Sequence, residues 1–304
     1  MSDIKILIND FKQYLGKQDL SKNTIRNYIA DIENFASWYD QYHGEEIEVK
    51  NITAYHLNFF REQILNGKRL KVSSVNRKTQ TLKRFFRFLT GKKIIKSNVA
   101  DSIKFIRRTK TTKPNSLNKN EVHALLSMAG NSAHGLSSRN YAVIQLLLQT
   151  GLRISELINL QWRDLILYER SGSVRVVDSK GHKERVIPLN NSARKALSLY
   201  IKRNEYDPTT PVFLSKHGKI HTARALQKII SNLAKKANIN RIRVTPHVLR
   251  HTFATNYLKA NPGCLIELAT LLGHESIDTT AIYTKASVEH LHETLEKAQF
   301  VNNQ

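Results

Sequence analysis

Apolar side chains recur at steps of three and four residues along the first third of the chain, and this period is typical of amphipathic helices. In residues 21–39, for example, Ile25 and Ile29 follow the period, and Ser21 or Asn23 can cap the start. The pattern predicts three helices, at residues 21–39, 52–65 and 74–91, of which the last two end near Gly67 and at Gly91.

The second half of the chain mixes helical periods with one alternating segment. Residues 173–189 alternate, are rich in valine and hold Lys180 and Gly181 at their centre, so they predict a β-hairpin. Before the hairpin, a long apolar helix is ended by Gly151 and followed by a short second helix. Further helices are predicted at 191–204, at 222–239, and from Thr245, which caps a helix whose first residue is Pro246.

The amino-acid composition marks one domain boundary along the chain. Residues 106–121 are polar and basic and contain Pro114, which is the composition of a linker. We therefore predict a fold that is mainly α with a small β-hairpin, in two domains. Their predicted limits are 1–108 for a helical domain, 109–117 for the linker and 118–304 for a mixed domain.

The charge of the chain points to a polyanionic partner. Lys and Arg number 48 against 25 Asp and Glu, giving a formal net charge of +23. Nucleic acid is the first candidate and an anionic membrane surface the second, but the longest apolar stretches are too short to cross a bilayer. The N-terminus lacks the pattern of a signal peptide. The single cysteine, Cys264, excludes an internal disulfide and a cysteine metal site, which fits a reducing cytoplasm.

Positive charge is concentrated in residues 61–110, which hold 16 Lys and Arg but only 2 Asp and Glu. A basic run is often only a solvated face. Here, however, the near absence of acids, on a helix whose other side is aromatic, favours contact with phosphates. The predicted DNA-binding residues are Arg77, Lys78, Lys83, Arg84, Arg87, Arg107 and Arg108.

The segment "TPHVLRHTFA" places cationic groups in the first turns of a helix. His247, Arg250 and His251 share one face at i, i+3 and i+4, where the helix dipole already disfavours cations. An anion such as a phosphate would explain this arrangement. The alternatives are a packed or capping histidine pair with Arg250 in a surface ion pair, and a metal site, which lacks a third local ligand.

Three other segments hold residues suited to phosphate chemistry. Arg153 follows Gly151 directly and has Glu156 after it, a pair that is often only structural. Lys180 lies at the hairpin tip, where most lysines are solvated, although a flexible hairpin can lower one onto a substrate. The segment "LLGHESIDTTAIYTK" places His274 after a helix-ending glycine and Tyr283 nine residues later.

These four pieces together resemble the tyrosine recombinase, or λ-integrase, family and within it the short Xer-like members. "TGLRISEL" is similar to the family's first-arginine motif and "SKGHKERVIPL" to its lysine hairpin. "HVLRH" is similar to its His-x-x-Arg motif, and "LLGHESIDTTAIYT" to its His-then-tyrosine motif. Their order and spacing agree, and the resemblance covers nearly the whole chain, which implies two domains that clamp DNA.

The resemblance implies a role for each residue at the cleaved bond. Tyr283 would attack a DNA phosphodiester, forming a 3′-phosphotyrosyl bond, and Lys180 would protonate the leaving 5′-oxygen. Ser179 stands where many relatives have glycine. We expect the serine to stiffen the hairpin and to leave the role of the lysine intact. The phosphodiester energy is kept in the covalent bond. We therefore expect no ATP. Two Arg, two His and one Lys would supply fixed positive charge at this site, so we also expect no divalent metal and no small-molecule cofactor.

The remaining roles concern the phosphate. By resemblance, Arg153 and Arg250 would bind the scissile phosphate and His274 would donate a hydrogen bond to it. His247 would act as a proton acceptor or phosphate ligand. Glu156 would orient the site. A tyrosine with a pKa near 10 needs such a cationic site to attack phosphorus at neutral pH.

The resemblance also implies partners and leaves alternatives open. A C-terminal helix within 287–304 would dock on a neighbouring subunit in a homotetramer that holds two duplexes at a recombination site. The chain starts directly with core-binding helices, which favours a resolver of chromosome or plasmid dimers or of transposon cointegrates. The alternatives are an integrase of a phage or mobile element, a type IB topoisomerase-like enzyme, and a catalytically silent DNA-binding regulator.

Overall fold

A computed structural model gives the fold of the chain. It describes residues 3–44, 47–67, 70–107, 116–131, 136–177, 184–201, 207–215, 218 and 221–274. The chain forms two compact units, Met1–Thr112 and Lys113–Gln304. Across the described ranges, no helix is long and apolar enough to span a membrane.

The first unit is helical. Its four α-helices are α1 (Asp3–Gly16), α2 (Lys22–His43), α3 (Ala54–Glu62) and α4 (Val72–Gly91). Ser21 caps α2 by accepting a hydrogen bond from the N–H of Thr24, and Gly44 ends the helix in the left-handed conformation. The helix predicted at 52–65 is shorter than expected, because the chain passes after Glu62 into a π-helical turn, Gln63–Gly67.

Aromatic side chains fill the core of the first unit. Phe11 packs edge to face on Phe85 with ring centroids 5.2 Å apart, and Phe35 packs on Phe60 at the same distance. All four rings are fully buried. Rings in this geometry contribute about 0.5–1.5 kcal/mol per pair beyond their burial. Helix α4 turns its apolar and aromatic face inward, since Val75, Leu82, Phe85, Phe86 and Leu89 are buried.

A buried carboxylate ties α2 to α4. Asp31 is only 3% exposed and accepts hydrogen bonds from both terminal nitrogens of Arg77, from Lys78 Nζ at 2.9 Å and from Thr81 Oγ1 at 3.1 Å. Lys78 also donates to Asn34 Oδ1 at 3.2 Å. A carboxylate is retained in a core only when its charge is compensated in this way.

The second unit surrounds a central apolar helix, α6. Its helices are α5 (Lys119–Gly130), α6 (Ser137–Thr150), α7 (Ile154–Asn159), α8 (Asn191–Tyr200), α9 (Ala223–Lys236), α10 (Pro246–Ala260) and α11 (Leu265–Leu272). Helix α6 packs against α5, α8 and α10. It is buried on nearly all sides, which agrees with its continuous apolar run "VIQLLLQ". Thr245 caps α10 and Pro246 is its first residue, as predicted.

A small antiparallel sheet lies in the same unit. Strands β2 (Gly172–Val177) and β3 (Glu184–Pro188) form the predicted hairpin, with Val176 opposite Arg185. The structure adds β1 (Leu165–Leu167), which pairs with β2. This strand has only three residues, too few for an alternating pattern to show in the sequence.

The second unit includes the end of the predicted linker. Leu117 is buried in its core, and its N–H donates a hydrogen bond to Thr252 Oγ1 at 2.9 Å. Asn118 caps α5 by accepting a hydrogen bond from the N–H of Glu121. Residues 109–115 of the predicted linker lie outside the described ranges.

The buried carboxylate of Asp31 generates a stability prediction. Asp31→Asn removes the charge that compensates Arg77 and Lys78, so we expect the free energy of unfolding to fall by about 2–3 kcal/mol. Urea unfolding followed by Trp38 fluorescence, in a Trp162→Phe background, measures the change. Asp101→Asn is the control, since its contact with Arg87 is 3.9 Å long between exposed groups, and we expect a change within about 0.5 kcal/mol. Equal losses in the two variants would contradict the role of Asp31.

Candidate active site

A tight turn after α6 sets the position of Arg153. Gly151 ends α6 at φ +65°, a conformation that L residues with a Cβ rarely adopt. A Cβ there would also lie 2.4 Å from Phe253 Cδ1 of α10. The close approach of α6 and α10 therefore requires glycine, and it directs the chain so that Arg153 caps α7 from the adjoining turn.

Arg250 extends from α10 into the base of the same region. It is buried, so the alternative of a surface ion pair is wrong. Its guanidinium donates to the carbonyl oxygens of Gly151 at 2.7 Å and of Leu272 at 2.8 Å. A buried guanidinium held by two carbonyl oxygens has a fixed direction, which suits planar recognition of an anion.

His274 is brought to Arg250 by the end of α11. Gly273 ends this helix at φ +63°, and His274 Nε2 then lies 2.9 Å from a terminal nitrogen of Arg250. Arg153 donates to the carbonyl oxygen of Gly273 at 3.2 Å. Two helix-ending glycines, at positions 151 and 273, thus bring both arginines and the histidine together.

One carboxylate lies among these cations. Glu156 accepts from the Arg153 N–H at 2.7 Å and from the Arg153 guanidinium at 2.8 Å. It also accepts two hydrogen bonds, at 3.1 and 2.8 Å, from the guanidinium of Arg185 on β3. Burial by itself would raise the pKa of Glu156, but hydrogen bonds from Arg185 and Arg153 outweigh burial and lower it. Glu156 is therefore ionised at neutral pH.

The imidazole of His274 is held neutral. Burial, followed by the charges of three neighbouring guanidinium groups, lowers its pKa to about 4. On α10, burial followed by the charges of His247 and Arg250 lowers the pKa of His251. At neutral pH the imidazole of His274 therefore adds no positive charge to that of the arginines.

The arrangement has the properties of an anion site. Three guanidinium groups lie around His274, and one carboxylate, Glu156, pairs with two of them, so positive charge is in excess. The side chain of Arg153 is 42% exposed and uses only two of its five N–H donors among the described residues. Donors fixed in this way bind the oxygens of a phosphate and offset charge that develops on them during a reaction. Within the described ranges, no three His, Cys, Asp or Glu side chains are grouped to hold a metal ion.

The structure brings together four of the residues predicted from sequence, namely Arg153, Glu156, Arg250 and His274. His247 lies on the exposed first turn of α10, three residues before Arg250. Lys180 and Tyr283 fall outside the described residues, and so does Ser179.

Arg185 was missed by the sequence prediction. Its strand position places it opposite Val176, and nothing in the local alternation distinguishes it from other polar residues of the hairpin. The only signal available was a lone arginine between valine-rich positions of a β-strand.

The basic residues predicted to bind DNA divide into two groups on α4. Arg77 and Lys78 bond to Asp31, and the side chain of Lys78 is only 14% exposed. Their contact with phosphates stays a prediction, and for Lys78 it would require release of the carboxylate.

The other basic residues of α4 line an open groove within the first unit. Lys83, Arg84 and Arg87 border this groove of about 760 Å³ together with Tyr14 and Phe105. Arg84 donates to Gln18 and stacks over the ring of Tyr28 at 5.6 Å, while Lys83 lies 5.4 Å from the centroid of Phe105.

The remaining predicted contacts follow α4 along the chain. Arg107 is exposed, and Arg108 lies outside the described residues. A basic groove with aromatic walls suits a phosphate backbone, and the residues that border it remain predicted DNA contacts.

Comparison with protein families gives two matches that together cover most of the chain. Residues 115–290 match the phage integrase family, and residues 8–93 match the phage integrase N-terminal SAM-like domain. The first match extends over more than half of the chain.

Individual proteins are similar over nearly their whole length. The tyrosine recombinase XerD of Halalkalibacterium halodurans is 35% identical over 295 residues, covering 91% of this chain and 92% of that protein. The tyrosine recombinase XerC of Vibrio vulnificus is 32% identical, covering 98% and 92%. The Tn1549 transposon integrase, solved in complex with circular-intermediate DNA, shares the fold at a TM-score of 0.75 and 22% identity, covering 96% of this chain and 98% of that one.

The lowered pKa of His274 generates a prediction about stability and pH. In the folded protein His274 stays neutral down to about pH 4, whereas an unfolded chain binds a proton near 6.5. Folding therefore loses stability as the pH falls from about 6.5 towards 4, because only the unfolded state gains the proton. In His274→Gln this contribution is absent, so we expect a smaller loss of unfolding free energy on acidification. Urea titrations at about pH 7.5 and about pH 5 measure the difference, and an unchanged loss would contradict it.

Proposed function

This chain belongs to the phage integrase family and is a tyrosine recombinase, an enzyme that cleaves and rejoins DNA, and from this premise we propose that it attacks DNA through Tyr283. The phenolic oxygen displaces the 5′-oxygen of a phosphodiester, forming a 3′-phosphotyrosyl bond. A free 5′-hydroxyl of another strand then displaces tyrosine. The number of phosphoester bonds is unchanged, so no ATP is consumed.

The cluster of three guanidinium groups around His274 is the observation that supports this proposal. Two carbonyl oxygens fix Arg250, which extends from α10. Arg153 is partly exposed and, among the described residues, uses only two of its five N–H donors. Together they clamp the non-bridging oxygens and offset the negative charge of the pentacoordinate transition state. Because fixed positive charge performs this task, the reaction that we propose uses no divalent metal and no cofactor.

Histidines supply the polar groups around the phosphate in this proposal. His274 is neutral, so it offers one N–H and one acceptor, and it donates a hydrogen bond to a phosphate oxygen. His247, on the exposed first turn of α10, accepts the proton of the attacking tyrosine or binds the phosphate. A tyrosine pKa near 10 makes such proton acceptance necessary at neutral pH.

Lys180 protonates the leaving oxygen in this scheme. The described strands end at Val177 and begin again at Glu184, so the lysine belongs to the connection between β2 and β3. Arg185, on the second of these strands, contacts Glu156 of the arginine cluster. The base of the hairpin is thus anchored beside the proposed phosphate site, which supports delivery of a lysine from its tip.

Double-stranded DNA is the partner, and the proposal adds how it is used. We place the reaction at a specific recombination site in the cytoplasm, where two copies of the site are exchanged. We further propose that this exchange resolves joined DNA molecules, such as plasmid or chromosome dimers or transposon cointegrates, since the chain is similar to tyrosine recombinases over more than nine tenths of its residues.

The covalent step can be tested with a nicked suicide substrate. We expect the wild-type protein to form an adduct on DNA with its own site and Tyr283→Phe to form none, because only the phenolic oxygen is removed. Denaturing gel electrophoresis measures the adduct. Tyr168→Phe, which alters a hydroxyl that is exposed just after β1, is the matched control and should form adduct at the wild-type rate.

The contradicting outcomes separate the alternatives. An adduct in Tyr283→Phe would assign the nucleophile elsewhere. DNA binding by the wild type without any adduct would indicate a silent regulator. Relaxation of one supercoiled plasmid without exchange between two sites would indicate a topoisomerase.

An apolar groove in the second unit supports a homotetramer. It has a volume of about 780 Å³ and is bordered by side chains that include Leu148, Phe253, Tyr257 and Ile266. Ile266 is 66% exposed and adds to the contiguous apolar lining of this groove, and contiguous apolar surface of this kind marks docking sites. We assign this groove to the C-terminal segment, 287–304, of a neighbouring subunit.

The sequence of that segment fits the groove. Its apolar residues recur at helical spacing, and they are Val288, Leu291, Leu295 and Phe300. A helix that inserts an apolar stripe into an apolar groove is a common mode of recognition. If each subunit gives its segment to the next, four subunits close a ring around two duplexes.

Substitutions on the two sides of this contact test the assembly. We expect Ile266→Glu and Leu291→Glu each to lower the population of DNA-bound tetramer at least tenfold, since a buried unpaired carboxylate is costly. Light scattering of the protein on its two-site DNA measures the mass. Leu199→Glu is the control, because Leu199 is 68% exposed on α8 and does not border the groove. Unchanged tetramer in both groove variants would overturn the assignment.

A further inference from the structure

We propose that Arg185 is a positioning residue of the DNA cleavage reaction, which sets Arg153 through Glu156 and fixes the backbone that leads to His274. The inference rests on the proposed function, since it assigns a role in that reaction. It concerns a side chain that joins three separate elements of the second unit, namely β3, α7 and the end of α11.

The first contact controls how Glu156 holds Arg153. Both terminal nitrogens of Arg185 donate to the Glu156 carboxylate, which also receives two hydrogen bonds from Arg153. The side chains of Arg185 and Glu156 are only 14% and 11% exposed, so solvent screens the pair weakly. Arg185 and Arg153 share the negative charge of Glu156. Glu156 can therefore orient Arg153 without occupying all the N–H donors of Arg153.

The second contact fixes the chain on the other side of the site. Arg185 Nε donates to the carbonyl oxygen of Leu271 at 2.9 Å, three residues before His274. A Cβ at Gly273 would lie 2.8 Å from the Arg185 guanidinium, so the guanidinium packs directly on the helix-ending turn. Arg185 therefore determines where the chain leaves α11, and with it the starting point of the segment that contains Tyr283.

The pairing of β2 with β3 also holds Arg185 in place, so the contacts of Arg185 join the hairpin to α7 and α11. Arg185 is the second residue of β3 and pairs with Val176, one register position from the end of β2. The strand pairing, the Glu156 pair and the Leu271 carbonyl all constrain one side chain. A lysine, with a single nitrogen, cannot donate to both Glu156 oxygens and to Leu271 in this planar geometry.

The experiment compares three variants of the full-length protein. Arg185→Gln removes the charge, and Arg185→Lys keeps the charge but loses the planar fork. Arg175→Gln is the matched control on β2, because Arg175 also pairs with carboxylates, Asp164 at 3.0 Å and Glu184 at 3.8 Å, away from the arginine cluster. For each variant we measure the rate of adduct formation on saturating nicked DNA, the Kd for DNA and the unfolding midpoint.

We expect both Arg185 variants to form adduct about 100-fold more slowly, because a displacement of about 1 Å in a phosphate-binding group is enough for such a loss. Their Kd for DNA and that of Arg175→Gln should stay within threefold of wild type, and Arg175→Gln should cleave at nearly the wild-type rate. We also expect Arg153→Lys to slow adduct formation by a smaller factor in the Arg185→Lys background than in wild type, since Arg185 acts through Arg153.

Three outcomes would overturn the inference: wild-type cleavage in Arg185→Lys, an equal loss in Arg175→Gln, or strictly additive losses with Arg153→Lys. If Arg185→Gln fails to fold, Arg185→Lys decides. A second readout does not involve Tyr283, namely the NMR shift of the His274 imidazole on titration with inorganic phosphate. We expect at least tenfold weaker phosphate binding in Arg185→Lys. If the wild type forms no adduct but this dependence is found, the proposed function fails, and what stands is that Arg185 positions the phosphate-binding groups.

Discussion

The charge balance around Glu156 is the interaction on which the active region depends. A single ionised carboxylate accepts hydrogen bonds from the guanidinium groups of Arg153 and Arg185, and with them orients one wall of the site. Without any carboxylate, three arginines in a small volume would repel one another. With a second carboxylate, their charge would be cancelled and no anion would be attracted. The excess of guanidinium groups over carboxylates keeps the arginines in place and leaves them able to bind a phosphate.

Backbone geometry places these charges as firmly as the ion pairs do. Both helix ends at the site adopt the left-handed conformation at glycine, and in each case a neighbouring side chain occupies the space that a Cβ would need. The glycine at 151 allows α10 to approach α6, and the glycine at 273 allows Arg185 to pack on the end of α11. Packing density and catalytic geometry therefore impose the same requirement at these two positions.

The two units use their positive charge differently. In the first unit, part of the basic surface of α4 is held by buried Asp31, so some of its cations stabilise the fold, while others border an open groove. In the second unit, the arginines converge on one point. A distributed surface suits a phosphate backbone, which is a repeating ligand, whereas a convergent cluster suits a single phosphorus atom that undergoes reaction.

The sequence by itself determined the helical periods, the hairpin, the cap at Thr245, Ser21 as one of two candidate caps, and the four short motifs that indicate a tyrosine recombinase. These features follow from local spacing and from residue type, which are read directly along the chain. Only the tertiary structure showed that Arg185 shares Glu156 with Arg153, that Lys78 is bound to Asp31, and that Leu165–Leu167 adds a strand. Each of these joins residues distant in the chain or rests on a segment too short for a periodic pattern, so it depends on packing in three dimensions that no local pattern encodes.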